Sequence, residues 1–219
     1  MMKWINLLFQ KYFRSKWKGS RHIPLEQYAL KVFKDNGEGL YYANIWSRNN
    51  TFLAKVIGYF SKGISHTVPI FYSENLREQF TLGQWGKISA SWAYYYRRVV
   101  GENTKCLCWS AEDIGLVAID WSKYQKRKVT IRKIRTGNQK KILAYLVDKI
   151  GRPYDSIGLV MWLLKLQDDP YSFHCSDITH KAMLAGNIHI ADIADTKSPS
   201  PAQIEAYNKG WIVYSQEAI

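Results

Sequence analysis

Two runs constrain this chain more than anything else in it: a β-rich run headed by Ser65-His66, and a helix-forming run headed by Cys175 far downstream. One carries strand signals and the other helix signals, so a fold that uses both must lay a helix against a sheet. From Cys175 the sequence places Ile178, Ala182 and Met183 at helical spacing and stops at Gly186, after a polar loop containing Asp168-Asp169-Pro170. That pattern predicts a helix starting at or near Cys175. Asp177 falls in its first turn, where a carboxylate suits the dipole, and free backbone N–H groups there face the thiol and any oxyanion formed beside it. A thiol is a good nucleophile only as thiolate, and a helix N-terminus with a nearby imidazolium lowers its pKa from about 8.5 to between about 3.5 and 7.5. The plainer alternative is a buried cysteine used as a small hydrophobe.

His66 lies in Gly63–Tyr72, a β-rich run entered from a helix-like segment, Thr51 to Phe60. It predicts a strand whose first residues open onto a cleft. Pro69 lies within that run and cannot donate a ladder hydrogen bond, so the strand should be an edge, end early or carry a bulge. The next β-like run is Lys105 to Val117, in which strand alternation puts Ser110 and Glu112 on one face. Two further motifs follow: Gly151-Arg-Pro-Tyr-Asp-Ser-Ile-Gly158, and Ser198-Pro199-Ser200-Pro201 before a last helix.

Gly-x-Pro-Tyr, then a glycine, then an aromatic-x-Cys-Ser-acidic run resembles the nucleophile region of the NlpC-like cysteine peptidases of the papain-like fold. Here histidine precedes cysteine, an order that resembles the circularly permuted branch, with its YiiX-like proteins and lecithin retinol acyltransferase relatives. The likeness covers roughly residues 38 to 205. It implies an α+β, circularly permuted papain-like fold whose antiparallel sheet packs against the nucleophile-bearing helix. Cys175 would be the nucleophile and His66 its base. The resemblance also implies a third polar group that orients the imidazole, on the strand after the histidine strand. Matching Ala111 and Gly115 to the family pattern puts Ser110 at the acidic position, whereas Glu112 has the better chemistry, since a carboxylate fixes the tautomer and stabilises the imidazolium. Both stay open. Tyr154 matches the Gly-x-Pro-Tyr tyrosine and is a candidate for oxyanion or substrate binding, beside the Cys175 N–H. The implied substrate is an amide in a cell-wall peptide first, and an ester or amide of a lipid second. His174, Cys175 and His180 have no second ligand cluster at a recognised spacing, so neither metal nor cofactor is expected.

With 219 residues and 47% hydrophobic content, the chain can bury one substantial core. The sequence divides into a basic amphipathic extension, 1–36, and a permuted papain-like domain, 37–219. Cys106 and Cys108 alternate on one strand, which suits side-by-side packing better than a zinc knuckle, and three cysteines make no disulfide framework.

Thirty-one basic against 18 acidic residues give a net charge of +13, which implies anionic partners such as a cell-wall or lipid surface. The excess is concentrated in residues 1–22, with six Lys or Arg and no acid, and in 123–141, with nine and no acid. In the second run Val129, Ile131 and Ile134 interleave with Lys128, Arg132, Lys133 and Arg135, the pattern of a charged outer sheet face. No nucleic-acid motif accompanies it, so no specific nucleic acid is expected.

In the first eighteen residues Ile5, Leu8, Phe9, Tyr12 and Phe13 share one helical face and Lys3, Asn6, Gln10, Arg14 and Lys18 another. Such a helix can lie in a membrane interface or dock on the core or a partner subunit. Gln10 and Lys11 interrupt its apolar stretch and no small-residue cleavage site follows, which argues against a secretory signal; no apolar run is long enough to span a bilayer. Any exported role would then need a lysis route, a virion or a secretion system. The aromatic run 85–100 reads as a helix in an insertion, and 157–166 as an apolar helix forming a cleft wall. A different class, a structural or binding module such as a particle component, would keep the fold and the cleft with little activity.

Overall fold

The computed structural model describes residues 27–46, 59, 63–76, 105–112, 115–120, 128–152, 174–190, 199–207 and 212–216, with the backbone alone at 27–31, 112, 120 and 213–216. The expected helices at 1–18, 51–60, 85–100 and 157–166, and Tyr154, lie outside the described residues, apart from Tyr59.

The elements run α1 (Gln27–Asn36), β1 (Gly39–Trp46), β2 (Ile64–Tyr72), β3 (Cys106–Glu112), β4 (Gly115–Asp120), β5 (Val129–Lys133), α2 (Gln139–Asp148), α3 (Cys175–Ala185), α4 (Pro201–Ala206) and β6 (Ile212–Gln216). The strands form one sheet in the order β4-β3-β2-β1-β5-β6, and every neighbouring pair is antiparallel. The chain is therefore α+β with helices packed on an antiparallel sheet.

Both faces of the sheet are buried, and strand alternation sorts the side chains between them. On one face Leu40, Tyr42, Phe71, Leu107, Trp109, Ala111, Leu116 and Ala118 meet the apolar sides of α2, α3 and α4 through Ile142, Leu146, Ile178, Met183 and Ile204. On the other, Tyr41, Ile45, Val68, Ile70, Tyr72, Cys106, Cys108 and Val117 pack with Phe33 of α1. Phe33 is fully buried, set edge-on to Tyr41 at 4.9 Å and stacked on Tyr72 at 5.7 Å between ring centroids. The boundary expected at residue 36 thus falls between α1 and β1, yet α1 belongs to the core. Cys106 and Cys108 are thiols buried side by side on that face.

Two expectations change and one resolves to one of its options. The run Lys105 to Val117, read as one β-like stretch, is a hairpin of β3 and β4, with Gly115 at φ 113° where the chain enters β4. That backbone favours glycine. Second, β2 is neither an edge nor cut short at Pro69, for it lies between β1 and β3. The proline is accommodated because the ladder to β3 begins only at Ile70, while Pro69 pairs with Tyr42 of β1. The register shift near Ser65, where Ile45 faces His66 and Trp46 faces Ile64, is the bulge among the three expected options.

Third, β5 is not a charged outer face. Val129 and Ile131 are buried on the α1 side, and Arg132 is 1% exposed. Its Nη1 donates to Glu205 Oε2 at 2.5 Å and its Nη2 to Glu205 Oε1 at 2.9 Å. Burial of Arg132 depends on α4, which supplies the carboxylate, and on β6, which flanks β5 and which periodicity did not reveal. Lys133 is half-buried and donates to Asn36 O at the end of α1 and to Gly37 O just after it, as a cation does at a helix C-terminus.

Candidate functional site

Cys175 opens α3, as its spacing predicts. His174 is the N-cap, with extended backbone at φ −102° and ψ 171°, and its Nδ1 accepts the Asp177 N–H at 3.4 Å. The Ser176 hydroxyl lies 3.2 Å from the same nitrogen. A ring nitrogen that accepts a backbone N–H carries no proton, so the His174 proton belongs on Nε2. Asp177, in the first turn, pairs with Lys181 one turn on at 2.8 Å. The helix closes at Gly186, whose N–H reaches Met183 O at 2.9 Å. The Cys175 side chain is buried in the same cluster as Ala111, Leu116 and Ile178.

His66 sits near the start of β2, half-buried, and its Nε2 lies 2.7 Å from Ser110 Oγ on β3. Ser110 is fully buried and pairs with Val117 of β4. The hydroxyl thus engages one of the two ring nitrogens. Between the two candidates for orienting the ring, Ser110 is the one whose side chain the structure places on it; the Glu112 side chain lies outside the described residues, although its backbone ends β3 opposite Gly115.

Backbone contacts bring the remaining motifs to the same end of the sheet. Gly151 N–H donates to Leu116 O and Leu116 N–H to Arg152 O, each at 2.8 Å, so the start of the Gly-Arg-Pro-Tyr run lies along β4 where it leaves the hairpin. At the opposite end, Ile134 N–H donates to Leu40 O, and Asn138 Nδ2 at the head of α2 reaches Gly186 O at 3.2 Å. Helix α3 packs on α2 and β2. With its C-terminus at the head of α2, it runs antiparallel to α2 and its first turn lies toward Ala111 and Leu116. The Tyr145 hydroxyl registers this placement: burial raises its pKa, and the charge of Asp177 raises it further. His66, Ser110, Gly151-Arg152 and Cys175, distant in sequence, share one end of the sheet.

They do not share one face. His66 pairs with Ile45 and Ser110 with Val117, both in the cluster on the α1 side, whereas Cys175 packs in the cluster on the side of α2, α3 and α4. The strand and the helix therefore present the imidazole and the thiol from the two sides of the sheet's end.

Sequence reading missed a polar chain on the helical face. Thr67 Oγ1 donates to Asn44 Oδ1 at 2.7 Å, Asn44 Nδ2 donates to Glu205 Oε2, and the same carboxylate holds Arg132. Asn44 and Thr67 are fully buried. Their polarity inside otherwise apolar strands was the available signal.

No protein-family model matches the chain, and no curated protein sequence matches it.

Proposed function

We propose that the chain is a thiol hydrolase of the permuted, NlpC-like branch of the papain-like fold, acting on an amide bond in a cell-wall peptide. The observation that carries this reading is the gathering at one sheet end of four segments whose order along the chain matches that branch: Ser65-His66, Ser110, Gly151-Arg152 and Cys175. Cys175 stands at a helix start, where N–H groups favour thiolate and oxyanion alike. His66 is held by Ser110 through Nε2 and serves in this reading as the base.

In the proposed reaction His66 takes the thiol proton and the thiolate attacks the carbonyl carbon. The S–C bond forms, the C–N bond breaks, and the amine leaves with the proton from His66. Water then attacks the thioester, its proton passes to the imidazole, and the carboxylate is released from sulfur. The Cys175 N–H receives the oxyanion, with Tyr154 as the second candidate donor. In this reading the imidazole meets the thiol around the bulged start of β2, since a bulge re-aims side chains next to active sites. The charge of +13 suits anionic wall polymers and anionic lipid headgroups equally, so a lipid ester or amide is the next substrate to test.

A second reading, a binding or structural module that keeps the fold without turnover, is favoured by one observation: alternation turns His66 and Ser110 to the face opposite the Cys175 cluster.

The test is mass spectrometry of wall stem peptides and of a phospholipid incubated with the wild type and with Cys175→Ala. Hydrolysis products in the wild type alone support the enzyme, and the productive substrate names the class. Intact substrates in every incubation favour the module.

A further inference from the structure

The start of β2 is laddered to the sheet on one side. From Ile64 to Pro69 the strand is laddered to β1, whereas its ladder to β3 covers only Ile70–Tyr72. The pairing with β1 is itself bulged beside Ser65. His66 therefore lies in the half of the strand whose backbone ladder runs to β1 while its ring reaches Ser110 of β3, and orienting an imidazole requires a fixed backbone.

The polar chain on the helical face lies under that half. Thr67, the residue after His66, donates to Asn44 Oδ1 at 2.7 Å; Asn44 donates to Glu205; and Glu205 accepts two hydrogen bonds from Arg132, whose Nη2 also reaches Glu205 O at 3.0 Å. The chain joins β2, β1 and β5 to α4, the helix that begins at the Ser-Pro motif. Glu205 is its junction, held by the guanidinium in a two-pronged pair that fixes orientation as well as distance.

From this we infer that Thr67, anchored through Asn44 to the Glu205–Arg132 pair, is a positioning residue that fixes the backbone beneath His66. Thr67 points to the face opposite the imidazole and acts through the main chain. Its anchor takes the place of the β3 ladder that Pro69 interrupts. The inference rests on the hydrolase reading for its catalytic meaning, and on the strand alone for its structural one.

The test compares Thr67→Val, which keeps the shape and loses the hydroxyl, with Thr67→Ser, which keeps the hydroxyl. Three quantities are read: the pH profile of Cys175 alkylation by iodoacetamide, the titration of the His66 ring by NMR, and Tm. In Thr67→Val the His66 midpoint is expected to differ measurably from that of the wild type, and alkylation near pH 6 to fall about tenfold, roughly the 1.4 kcal/mol that such a factor represents. Thr67→Ser should stay within about twofold of wild type on both, a rescue that packing alone would not give.

An unmoved His66 titration in Thr67→Val overturns the inference, whatever happens to Tm. If wild-type Cys175 reacts as an ordinary thiol, the hydrolase reading fails while the His66 titration still decides the positioning role. Should Thr67→Val not fold, hydrogen exchange on the wild type decides it: residues 64–68 exchanging as slowly as 70–72 support the anchor, and much faster exchange at 64–68 overturns it.

Discussion

Ser110 shows what a single side chain does here. Its hydroxyl is the polar atom placed on His66 Nε2, 2.7 Å away and fully buried, so removing it frees the ring to choose another tautomer and orientation. Ser110→Ala is expected to lower the rate of Cys175 alkylation near pH 6 about fivefold, in line with about 1 kcal/mol for one hydrogen bond; an unchanged rate would mean that the bond does not orient the imidazole for reaction. The register of Ala111 and Gly115 singled this residue out in the sequence, while the chemical preference for a carboxylate favoured Glu112, whose side chain lies outside the described residues. Arg132 was not legible, because an arginine between Ile131 and Lys133 looks the same whether it faces water or a carboxylate brought from Glu205 by the fold. Tyr42 offers a pH test of the same face. Burial raises its pKa well above 10, the Arg132 charge opposes this, and Glu205 and Tyr207 add to it. The folded state thus keeps the phenol protonated where the unfolded chain has lost it. Stability from this group is full below about pH 10 and falls as pH rises above that value. Tyr42→Phe should flatten the loss of stability measured by denaturant titration between about pH 10 and 12; a slope equal to wild type would show that Tyr42 does not drive it.

At the scale of elements, caps and breaks were the readable features. Cys175 to Gly186 gave both ends of α3, and Ser200-Pro201 gave the start of α4, where Ser200 Oγ accepts the Gln203 N–H at 3.2 Å and Gln203 Oε1 accepts the Ser200 N–H at 2.8 Å. This reciprocal cap stabilises a helix of only six residues, so Ser200→Ala should cost about 1 kcal/mol and lower Tm by about 2–4 °C for a chain of this size. A Tm within a degree of wild type would show that contacts such as Ile204, not the cap, hold α4. Unread were α1, β1, α2 and β6. The basic residues flanking α2 drew its first turn into a presumed strand region, and β6 is short, so neither carried enough periodicity to stand apart. Pro69 was read correctly as a ladder problem. Its solution, a β2 that drops β3 rather than becoming an edge, depends on how far a neighbouring strand extends, which local sequence does not encode.

For the whole molecule, the order of the motifs was legible and their meeting point was not, because only the sheet order β4-β3-β2-β1-β5-β6 brings the start of β2, the β3–β4 hairpin and the head of α3 to one end. The Arg132–Glu205 pair helps hold that arrangement, and its two halves are unequal: Arg132 is 1% exposed and Glu205 23%. Glu205→Gln leaves a buried guanidinium without its counter-charge and is expected to cost about 3–5 kcal/mol, whereas Arg132→Met leaves a carboxylate that can reach water and should cost clearly less. Denaturant midpoints giving the reverse order would show that Glu205, not Arg132, bears the greater desolvation. The central claim is that the sheet end assembles a working Cys175–His66 pair. The most direct measurement is the rate of iodoacetamide alkylation at Cys175 against pH, read by peptide mass spectrometry, for the wild type and His66→Ala. The account predicts fast reaction near pH 6 in the wild type and loss of that low-pH limb in the variant, as a paired thiol requires. Alkylation confined to pH above about 8, and the same in both proteins, would contradict it and leave a binding module in place of an enzyme.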